Sequence, residues 1–432
     1  MFKYLWMVIQ DLFVTCTLVP LIHSAIGRRF GKERQRIHRA GVAAGLVASA
    51  ILAFVKNTTN KIVSSRWNHG IYIAIILASA VFLVLLAVVR NEADNKEKDG
   101  RTGGILFSTA GAALSAFWIF YSLPGAAAYP VSFNTMGNGY LSWYYFQRLI
   151  GWALAFVLLM IYARLLYACA FCIKRKSMPT FILAAAVIVN AFNCVCRFFA
   201  PWVNRAKWLK WPLRFDKNEH GWAYALVRFS SDHAMDFLFI TAGLVCILAI
   251  AFFAENTRVT DPYDNPAQKR KLRARNRLRR REAIGFLAAL GLCIVSISAV
   301  KAYDLREVSL SAPETYTVED GKVLIPMDQV SDGHLHRYEY RTGNDVNVRW
   351  IVVKKPGSAS FGTGFDACEV CGNAGYYENN GKVICKRCDV VMNINTIGFK
   401  GGCNPIPLGY EVQDGNLVFA ISDLEAGEKE FK

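Results

Sequence analysis

Eight apolar stretches within the first 300 residues of this 432-residue chain constrain its fold more than any other feature. A helix needs ~20 mostly apolar residues to cross the hydrocarbon core of a bilayer. The stretches that reach or approach this length are residues 5–26, 40–55, 71–89, 105–123, 149–173, 181–200, 232–254 and 284–300. The sequence therefore predicts a polytopic α-helical membrane protein with about eight spans.

The distribution of charge separates the chain into two parts. Residues 301–432 carry a net charge of −5 and residues 1–300 carry +22, which together give the chain's +17. The basic residues of the first part lie in short loops between apolar stretches, where they set membrane orientation rather than bind nucleic acid. We therefore predict a transmembrane helical domain at 1–300, a separate domain at 301–432, the lipid bilayer as a partner and no nucleic-acid partner.

Alternate loops carry the positive charge, and they predict the orientation. The basic loops are residues 28–39, 90–101, 174–176 and 255–282. Because positively charged loops remain in the cytoplasm, eight crossings place both termini outside it. The expected location is the cell (inner) membrane, with many passes and an extracytoplasmic C-terminal domain.

Several polar residues interrupt the apolar stretches. Arg164 lies in the fifth, Asn190, Asn193 and Arg197 lie in the sixth, and Gln10, Asp11 and His23 lie in the first. Polar side chains at membrane depth are costly and often functional. They are suited to lining a polar path, but interhelical hydrogen bonds and snorkelling explain them equally well.

From residue 303 the apolar runs give way to alternation and turns. Short strands are expected at residues 316–319, 322–326, 334–341, 346–354, 382–385 and 417–422. Tight turns are expected at Asp320-Gly321, Asn380-Gly381 and Asp414-Gly415. This pattern predicts a small β-rich domain.

Five cysteines crowd into this domain, and four of them form two CxxC pairs. The pairs are Cys368/Cys371 and Cys385/Cys388, and the fifth cysteine is Cys403. A CxxC turn directs two thiolates at one point, so two such turns place four sulfurs tetrahedrally. That geometry suits either zinc or an iron–sulfur centre. We therefore assign Cys368, Cys371, Cys385 and Cys388 as metal ligands.

A fifth cysteine, Cys403, favours the iron–sulfur interpretation but leaves zinc open. Zinc needs only four ligands, whereas a fifth cysteine on its own glycine turn can replace a ligand, cap a cluster or act as a redox thiol. We therefore include Cys403 among the cofactor-binding residues. An iron–sulfur cluster is the expected cofactor and structural zinc the alternative, while a pair of disulfides is a third interpretation.

A second candidate metal site lies upstream. On a strand, residues two apart share a face, so His334, His336, Tyr338 and Tyr340 are expected to project together. His334 and His336 form a possible ligand pair for copper or iron. The alternative is a polar stripe on an exposed sheet.

With these motifs in hand, the C-terminal domain resembles the FtrD-like membrane iron–sulfur protein family. The resemblance rests on His336-Arg337-Tyr338, the segment from Phe365 to Gly372, Gly375-Tyr376, Cys385-x-x-Cys388, and the block from Gly401 to Leu408. Asp389 departs from the pattern, because a glycine is expected after the second CxxC pair. A glycine at that position leaves room for an amide–sulfur hydrogen bond that tunes the centre.

The resemblance implies a membrane-bound, ferredoxin-like electron carrier rather than an enzyme of the usual kind. It also implies three partners in a bacterial iron uptake system: an iron permease, a periplasmic iron-binding protein and a cupredoxin-like protein. The Arg-Glu-Gly-Leu-Glu element expected of an iron permease is missing from the first span. Two other functions stay open: a metal-binding accessory or metallochaperone that hands over iron or copper, and a transporter with a structural zinc-ribbon tail.

Overall fold

A computed structural model gives the fold of two compact units. The structure describes residues 2–59, 64–94, 100–133, 143–175, 177–203, 220–304, 309–379, 381–387 and 390–431. One unit is helical and comprises Met1–Phe133 and Phe146–Asp304, and the other contains Leu305–Lys432.

Seven long apolar helices within the described residues form the helical unit. They are α1 (Phe2–Thr58), α2 (Ser64–Asp94), α3 (Gly100–Ala128), α4 (Trp143–Cys172), α5 (Ser177–Phe198), α8 (Ala234–Glu255) and α9 (Pro266–Val295). The shorter helices are α6 (Ala200–Val203), α7 (Gly221–Asp232) and α10 (Lys301–Asp304). The predicted polytopic helical architecture is therefore confirmed.

Helix α1 contains both the first and the second predicted span. Its helical geometry breaks at Gly31, whose φ of 78° and ψ of −173° are accessible essentially only to glycine. The Nδ1 atoms of His23 and His38 lie 3.2 Å apart. A continuous helix of 15 residues would separate them by about 22 Å. The chain therefore reverses at Gly31, and the two spans are the arms of one helical hairpin.

Small residues allow the second arm to approach α3 closely. A Cβ atom on Gly41 would lie 2.6 Å from Cβ of Ala112, and one on Gly45 would lie 2.9 Å from Cα of Ala116. In the same contact, the Ser49 hydroxyl donates to the carbonyl oxygen of Ile119 at 3.2 Å. Close backbone approach through small residues is typical of helix pairs in membranes, where packing replaces the hydrophobic effect.

The predicted basic loop at residues 255–282 is largely a helix instead. Helix α9 begins at Pro266, after Asn265, whose side chain accepts a hydrogen bond from the Gln268 amide at 2.8 Å. This cap and the proline at the first turn explain why the helix starts there. The basic residues from 269 to 281 therefore lie on the same helix as the last span.

The second unit is built from antiparallel strands. They are β1 (Thr317–Glu319), β2 (Lys322–Pro326), β3 (His336–Arg341), β4 (Asn347–Lys354), β5 (Phe361–Phe365), β6 (Tyr376–Asn379), β7 (Lys382–Cys385), β8 (Ile406–Pro407), β9 (Glu411–Gln413) and β10 (Asn416–Ala420). One sheet has the order β1-β2-β10-β9, a second has β3-β4-β5-β8, and β6 pairs with β7. A short helix, α11 (Ile421–Ala426), follows β10.

The structure confirms the predicted β-rich character and corrects details. The turns Asp320-Gly321 and Asp414-Gly415 both have positive φ at both residues and connect paired strands. Asn380 lies outside the described residues. Strand β3 begins at His336, two residues later than expected, and β5 lies in a segment where no strand was predicted.

Strand β4 is buried on both faces, and this places the cysteines. Val348, Trp350 and Val352 point into a core between the two four-stranded sheets. Ile351 and Val353 point the other way, into a second core formed with the cysteine loops. Side chains alternate across a strand, so the cysteine loops form a third layer on the outer face of this sheet.

Candidate metal centre

The first cysteine turn follows β5 directly. Amide and carbonyl groups of Cys368 and Gly372 exchange two hydrogen bonds, of 3.0 and 2.9 Å. Gly372 has a φ of 67°, which closes the turn in a conformation that favours glycine. The Cys371 amide donates to Sγ of Cys368 at 3.1 Å. An amide that donates to sulfur stabilises the thiolate form, which is the form that binds metal.

The second cysteine turn begins at the end of strand β7. Cys385 is the last residue of β7, and its amide donates to the carbonyl oxygen of Val390 at 3.0 Å. The amide of the next residue, Lys386, donates to the carbonyl oxygen of Gly375 at 2.9 Å. Cys388 and Asp389 lie outside the described residues. The β6–β7 hairpin therefore fixes where the second CxxC pair starts.

Three cysteine sulfurs converge between these turns. Cys368, Cys371 and Cys385 are buried, and their Sγ atoms all lie within 4.8 Å of one another. Metal–sulfur bonds of ~2.3 Å in a tetrahedral site place sulfurs ~3.8 Å apart. The trio therefore fits a thiolate-bound metal after only small side-chain rotations. None of the described cysteines forms a disulfide.

Cys403 is half-buried beside this trio and packs against the same core. Its carbonyl oxygen accepts a hydrogen bond from the Tyr376 hydroxyl at 2.7 Å. The same phenol is hydrogen-bonded to the side chain of Cys368. Burial and the neighbouring thiols Cys368 and Cys385 hold the pKa of Tyr376 well above its usual range. Tyr376 is therefore a neutral donor that links the Cys403 loop to the first cysteine turn.

A buried ion pair connects the first cysteine turn to the strands that it packs against. Asp366, two residues before Cys368, is 0 % exposed, and its Oδ2 lies 3.0 Å from Nε of Arg337, which is 1 % exposed. Arg349 lies 3.3 Å from the same oxygen. The other carboxylate oxygen accepts a hydrogen bond from the Tyr376 amide at 2.8 Å. One carboxylate therefore ties strands β3, β4 and β6 to the cysteine turn.

Arg337 completes this network by using its remaining donors. Its guanidinium donates to the carbonyl oxygen of Tyr376. It also donates to the carbonyl oxygen of Ser311 at 2.9 Å and to the Ser311 hydroxyl at 2.5 Å. Gly375 is required beside this pair, because its φ is 84° and a Cβ atom there would lie 2.9 Å from Oδ2 of Asp366. Arg337, Asp366, Gly375 and Tyr376 lie in the sequence motifs, whereas Ser311 and Arg349 do not, and nothing in the sequence alone shows that these residues meet.

The sequence that builds this centre matches a described protein family. Residues 330–431 match the family described as membrane iron-sulfur containing protein FtrD-like. The converging cysteines and the Arg337–Asp366 pair all lie within this range, so the resemblance of the C-terminal domain is confirmed. Residues 1–329 lie outside the match. No curated protein and no solved structure matches the chain.

The two histidines of the C-terminal domain have different carboxylate partners. His334 lies before β3 with a 64 % exposed side chain, and its Nδ1 is 2.8 Å from Glu378. His336 is buried; its Nδ1 lies 3.0 Å from Glu314 and its Nε2 lies 2.8 Å from Asp332. Of the two histidines expected on strand β3, only His336 lies on it. Their role as a second metal site stays a prediction.

Carboxylates also influence the charge of these two histidines. The hydrogen bond to Glu378 raises the pKa of His334. Burial lowers the pKa of His336, but the hydrogen bonds to Asp332 and Glu314 outweigh this effect and raise it. A protonated imidazole donates from both nitrogens and has no lone pair left for a metal. This arrangement favours an ion-paired structural role for His336.

Proposed function

We propose that this chain is a membrane-bound, ferredoxin-like electron carrier of a bacterial iron uptake system. The observation that carries the proposal is the convergence of three buried cysteine sulfurs inside a domain that matches membrane iron–sulfur proteins. A cysteine-bound iron centre supplies one-electron transfer when it is present. Cys388 is the proposed fourth ligand, and Cys403 is a thiol placed beside the centre.

The proposed partners are an iron permease, a periplasmic iron-binding protein and a cupredoxin-like protein. They rest on the family resemblance, which covers the C-terminal domain. In this scheme the C-terminal domain lies on the extracytoplasmic face of the inner membrane, where such partners meet it. Its cysteine turns hold the centre, and the helical unit anchors it to the bilayer.

Interactions at one end of the helical unit support this orientation. Lys174 forms an ion pair of 2.6 Å with Asp261, and Arg275 pairs with the same carboxylate. Arg28 donates to the carbonyl oxygen of Ala170 at 2.6 Å. Three of the four basic segments therefore meet at one end of the helices. A strongly basic end of this kind is typical of the cytoplasmic side.

Reporter fusions test the orientation. Alkaline phosphatase fused after residue 432 is expected to be active, because it requires export, whereas a fusion at Arg275 is expected to be inactive. Green fluorescent protein at the same two sites is expected to give the opposite pattern. Fluorescence at residue 432 without phosphatase activity would contradict the proposed orientation.

Structural zinc is the second candidate, because a trio of sulfurs within 4.8 Å is also compatible with one tetrahedral ion. Metal analysis and spectroscopy of anaerobically purified full-length protein separate the two. We expect iron, visible charge-transfer absorption and a paramagnetic signal that changes on addition of dithionite. Stoichiometric zinc in a colourless protein would overturn the electron-carrier proposal, because zinc has no redox chemistry.

A further inference from the structure

A polar cavity lies inside the helical unit, at the end opposite the basic segments. It has a volume of about 250 Å³ and is lined by residues of α1, α2, α3, α5 and α8. Ligand pockets in proteins start at roughly 300 Å³, so this cavity suits a small ligand such as one substituted six-membered ring. Polar groups at membrane depth are costly, so five helices that converge on such a cavity indicate a binding site.

One wall of the cavity presents hydrogen-bond donors. Arg197 of α5 donates to the Tyr121 hydroxyl of α3 at 3.2 Å. That hydroxyl lies 3.1 Å from the hydroxyl of Tyr72 on α2. Three helices therefore hold a guanidinium and two phenols together, which suits the recognition of an oxygen atom that accepts hydrogen bonds.

The α1 side of the cavity presents a base. Asp11 accepts a hydrogen bond from the Tyr129 hydroxyl at 2.5 Å, and it interacts electrostatically with Arg197. An ionised carboxylate has several lone pairs, so this hydrogen bond leaves acceptor capacity on Asp11. The cavity therefore offers donors and a proton acceptor to the same ligand.

Metal ions and anionic headgroups fit this lining poorly. Across the described ranges, the group of three or more residues able to hold a metal ion is Cys368, Cys371 and Cys385, none of which lines the cavity. The Arg197 guanidinium repels cations. The Asp11 carboxylate repels a phosphate. A neutral organic molecule with oxygen atoms that both accept and donate hydrogen bonds fits both walls.

We propose that this cavity binds the headgroup of an isoprenoid quinone. The quinone carbonyl oxygens accept from the Arg197–Tyr121 wall, and a quinol hydroxyl donates to Asp11. Trp118 and Phe237 supply apolar surface for the ring. Quinones are the lipid-soluble redox carriers of membranes, and their chemistry matches a chain that handles electrons.

Electron exchange with the C-terminal domain rests on the proposed function. Oxidation of one quinol breaks two O–H bonds and releases two protons and two electrons. Asp11 is placed to accept the first proton, and the second passes to bulk water. An iron centre held by Cys368, Cys371 and Cys385 would take the two electrons in two successive one-electron steps, passing the first to a one-electron partner before it takes the second. Lys301, at the start of the connection to the C-terminal unit, donates to Gln10 of the cavity at 2.8 Å. The chain therefore leaves the helical unit beside the cavity.

The binding test has a readout that does not involve the metal centre. Decylubiquinone competes with an azidoquinone photolabel for the full-length protein in detergent, and labelled peptides are mapped by mass spectrometry. Labels are expected on α1, α3 and α5. Arg197→Met is expected to weaken binding about tenfold, since a hydrogen bond to a charged group is lost. Tyr121→Phe, which removes one hydroxyl and keeps the ring, is expected to weaken it several-fold.

Arg164→Met is the matched control, because Arg164 is an exposed arginine on α4 that does not line the cavity. It is expected to bind decylubiquinone as the wild type does. Equal affinity in all four proteins, or labels confined to other helices, would overturn the site. Displacement of the photolabel by phosphatidylglycerol but not by decylubiquinone would identify a lipid-headgroup site and would also overturn it.

A redox arm separates this inference from the proposed function. Decylubiquinol is expected to bleach the oxidised centre of the wild type under anaerobic conditions, and to do so at least about tenfold more slowly in Asp11→Asn, because the proton acceptor is lost. Dithionite is expected to bleach both proteins. Bleaching by dithionite but not by quinol in the wild type would overturn the electron-exchange step alone. A centre that dithionite does not reduce would overturn the proposed function, while the binding result still decides the site.

Discussion

Cys368→Ser is expected to remove the metal centre from the otherwise folded membrane protein. Cys368 is buried, receives the Cys371 amide at 3.1 Å and lies within 4.8 Å of two other sulfurs, so its loss leaves the site without a ligand that the turn is built to hold. Because metal binding and local folding are coupled, we expect bound metal per chain to fall by about tenfold or more. Elemental analysis and visible absorption of the purified full-length variant measure the loss.

The same loss is expected for Cys371→Ser and Cys385→Ser, and for Cys388→Ser, whose residue lies outside the described part of the chain. Cys246→Ser in α8 is the matched control, because it removes a half-buried free thiol from the helical unit. Its metal content is expected to equal that of the wild type. Full metal content in Cys368→Ser would show that the converging cysteines are not the ligands.

Cys403→Ser is expected to behave differently. Its loop contains Gly401 and Gly402, both with positive φ, and the Tyr376 hydroxyl holds it through the Cys403 backbone carbonyl, a contact that Cys403→Ser leaves in place. We therefore expect normal metal content with a changed reduction potential or slower electron transfer. Metal loss as complete as in Cys368→Ser would make Cys403 a true ligand and one of the CxxC cysteines the spare thiol.

Local sequence chemistry was enough to predict the elements that depend on neighbours along the chain. The apolar stretches are helical, and turns such as Asp320-Gly321 have the positive φ values that this residue pair favours. Contacts between distant residues were not predictable in the same way. The loop expected between the first two spans is a reversal at Gly31 inside an otherwise helical segment, where His23 and His38 meet. The start of α9 is instead a local signal, the Asn265 cap followed by Pro266, that was missed in a segment with nine basic residues.

Strand β5 was missed because its sequence, Phe-Gly-Thr-Gly-Phe, contains two glycines, and glycine is unfavourable in strands. The structure supplies the reason for them. A Cβ atom on Gly362 would lie 2.9 Å from Ile397, and one on Gly364 would lie 2.8 Å from the carbonyl oxygen of Ile406. Tertiary crowding selects glycine here, and a single sequence does not reveal crowding.

In the candidate site, too, local features were predicted and contacts between distant residues were not. CxxC spacing locates the ligands because the turn that joins them is local. The ion pair that supports these ligands joins Arg337 to Asp366, 29 residues apart in the sequence. It was not predicted, because a charged residue on a strand is normally expected to face solvent. Likewise, His334 and His336 were grouped by strand alternation, but β3 starts only at His336. Where a strand begins depends on its partner strand, which the local sequence does not specify.

Arg337→Met is expected to destabilise the C-terminal domain strongly. The change leaves the fully buried Asp366 carboxylate with the partly exposed Arg349 as its remaining basic partner. Removing one partner of a buried ion pair typically costs about 3–5 kcal/mol, because the other charge stays buried. Urea-dependent pulse proteolysis of the full-length protein, following cleavage within residues 309–431, measures the free energy of unfolding of this domain.

Arg341→Met is the matched control on the same strand. Arg341 is exposed and pairs with the exposed Asp345, so its loss is expected to cost less than about 1 kcal/mol. Adding Asp366→Asn to Arg337→Met is expected to recover part of the loss, since it removes the unpaired charge. A cost for Arg337→Met no larger than for Arg341→Met would contradict the role of the buried pair.

The same variant connects stability to function. Asp366 binds the amide of Tyr376, and the Tyr376 hydroxyl reaches both Cys368 and the Cys403 loop, so a loosened pair loosens the cysteine turns. Groups that orient metal ligands typically change affinity about 10–100-fold when they are removed. We therefore expect metal to transfer to a chelator about 10–100-fold faster in Arg337→Met under conditions where the domain is still folded. Metal release faster than the variant's own unfolding would show that the ion pair positions the ligands, whereas release at the rate of unfolding would show that it only stabilises the fold.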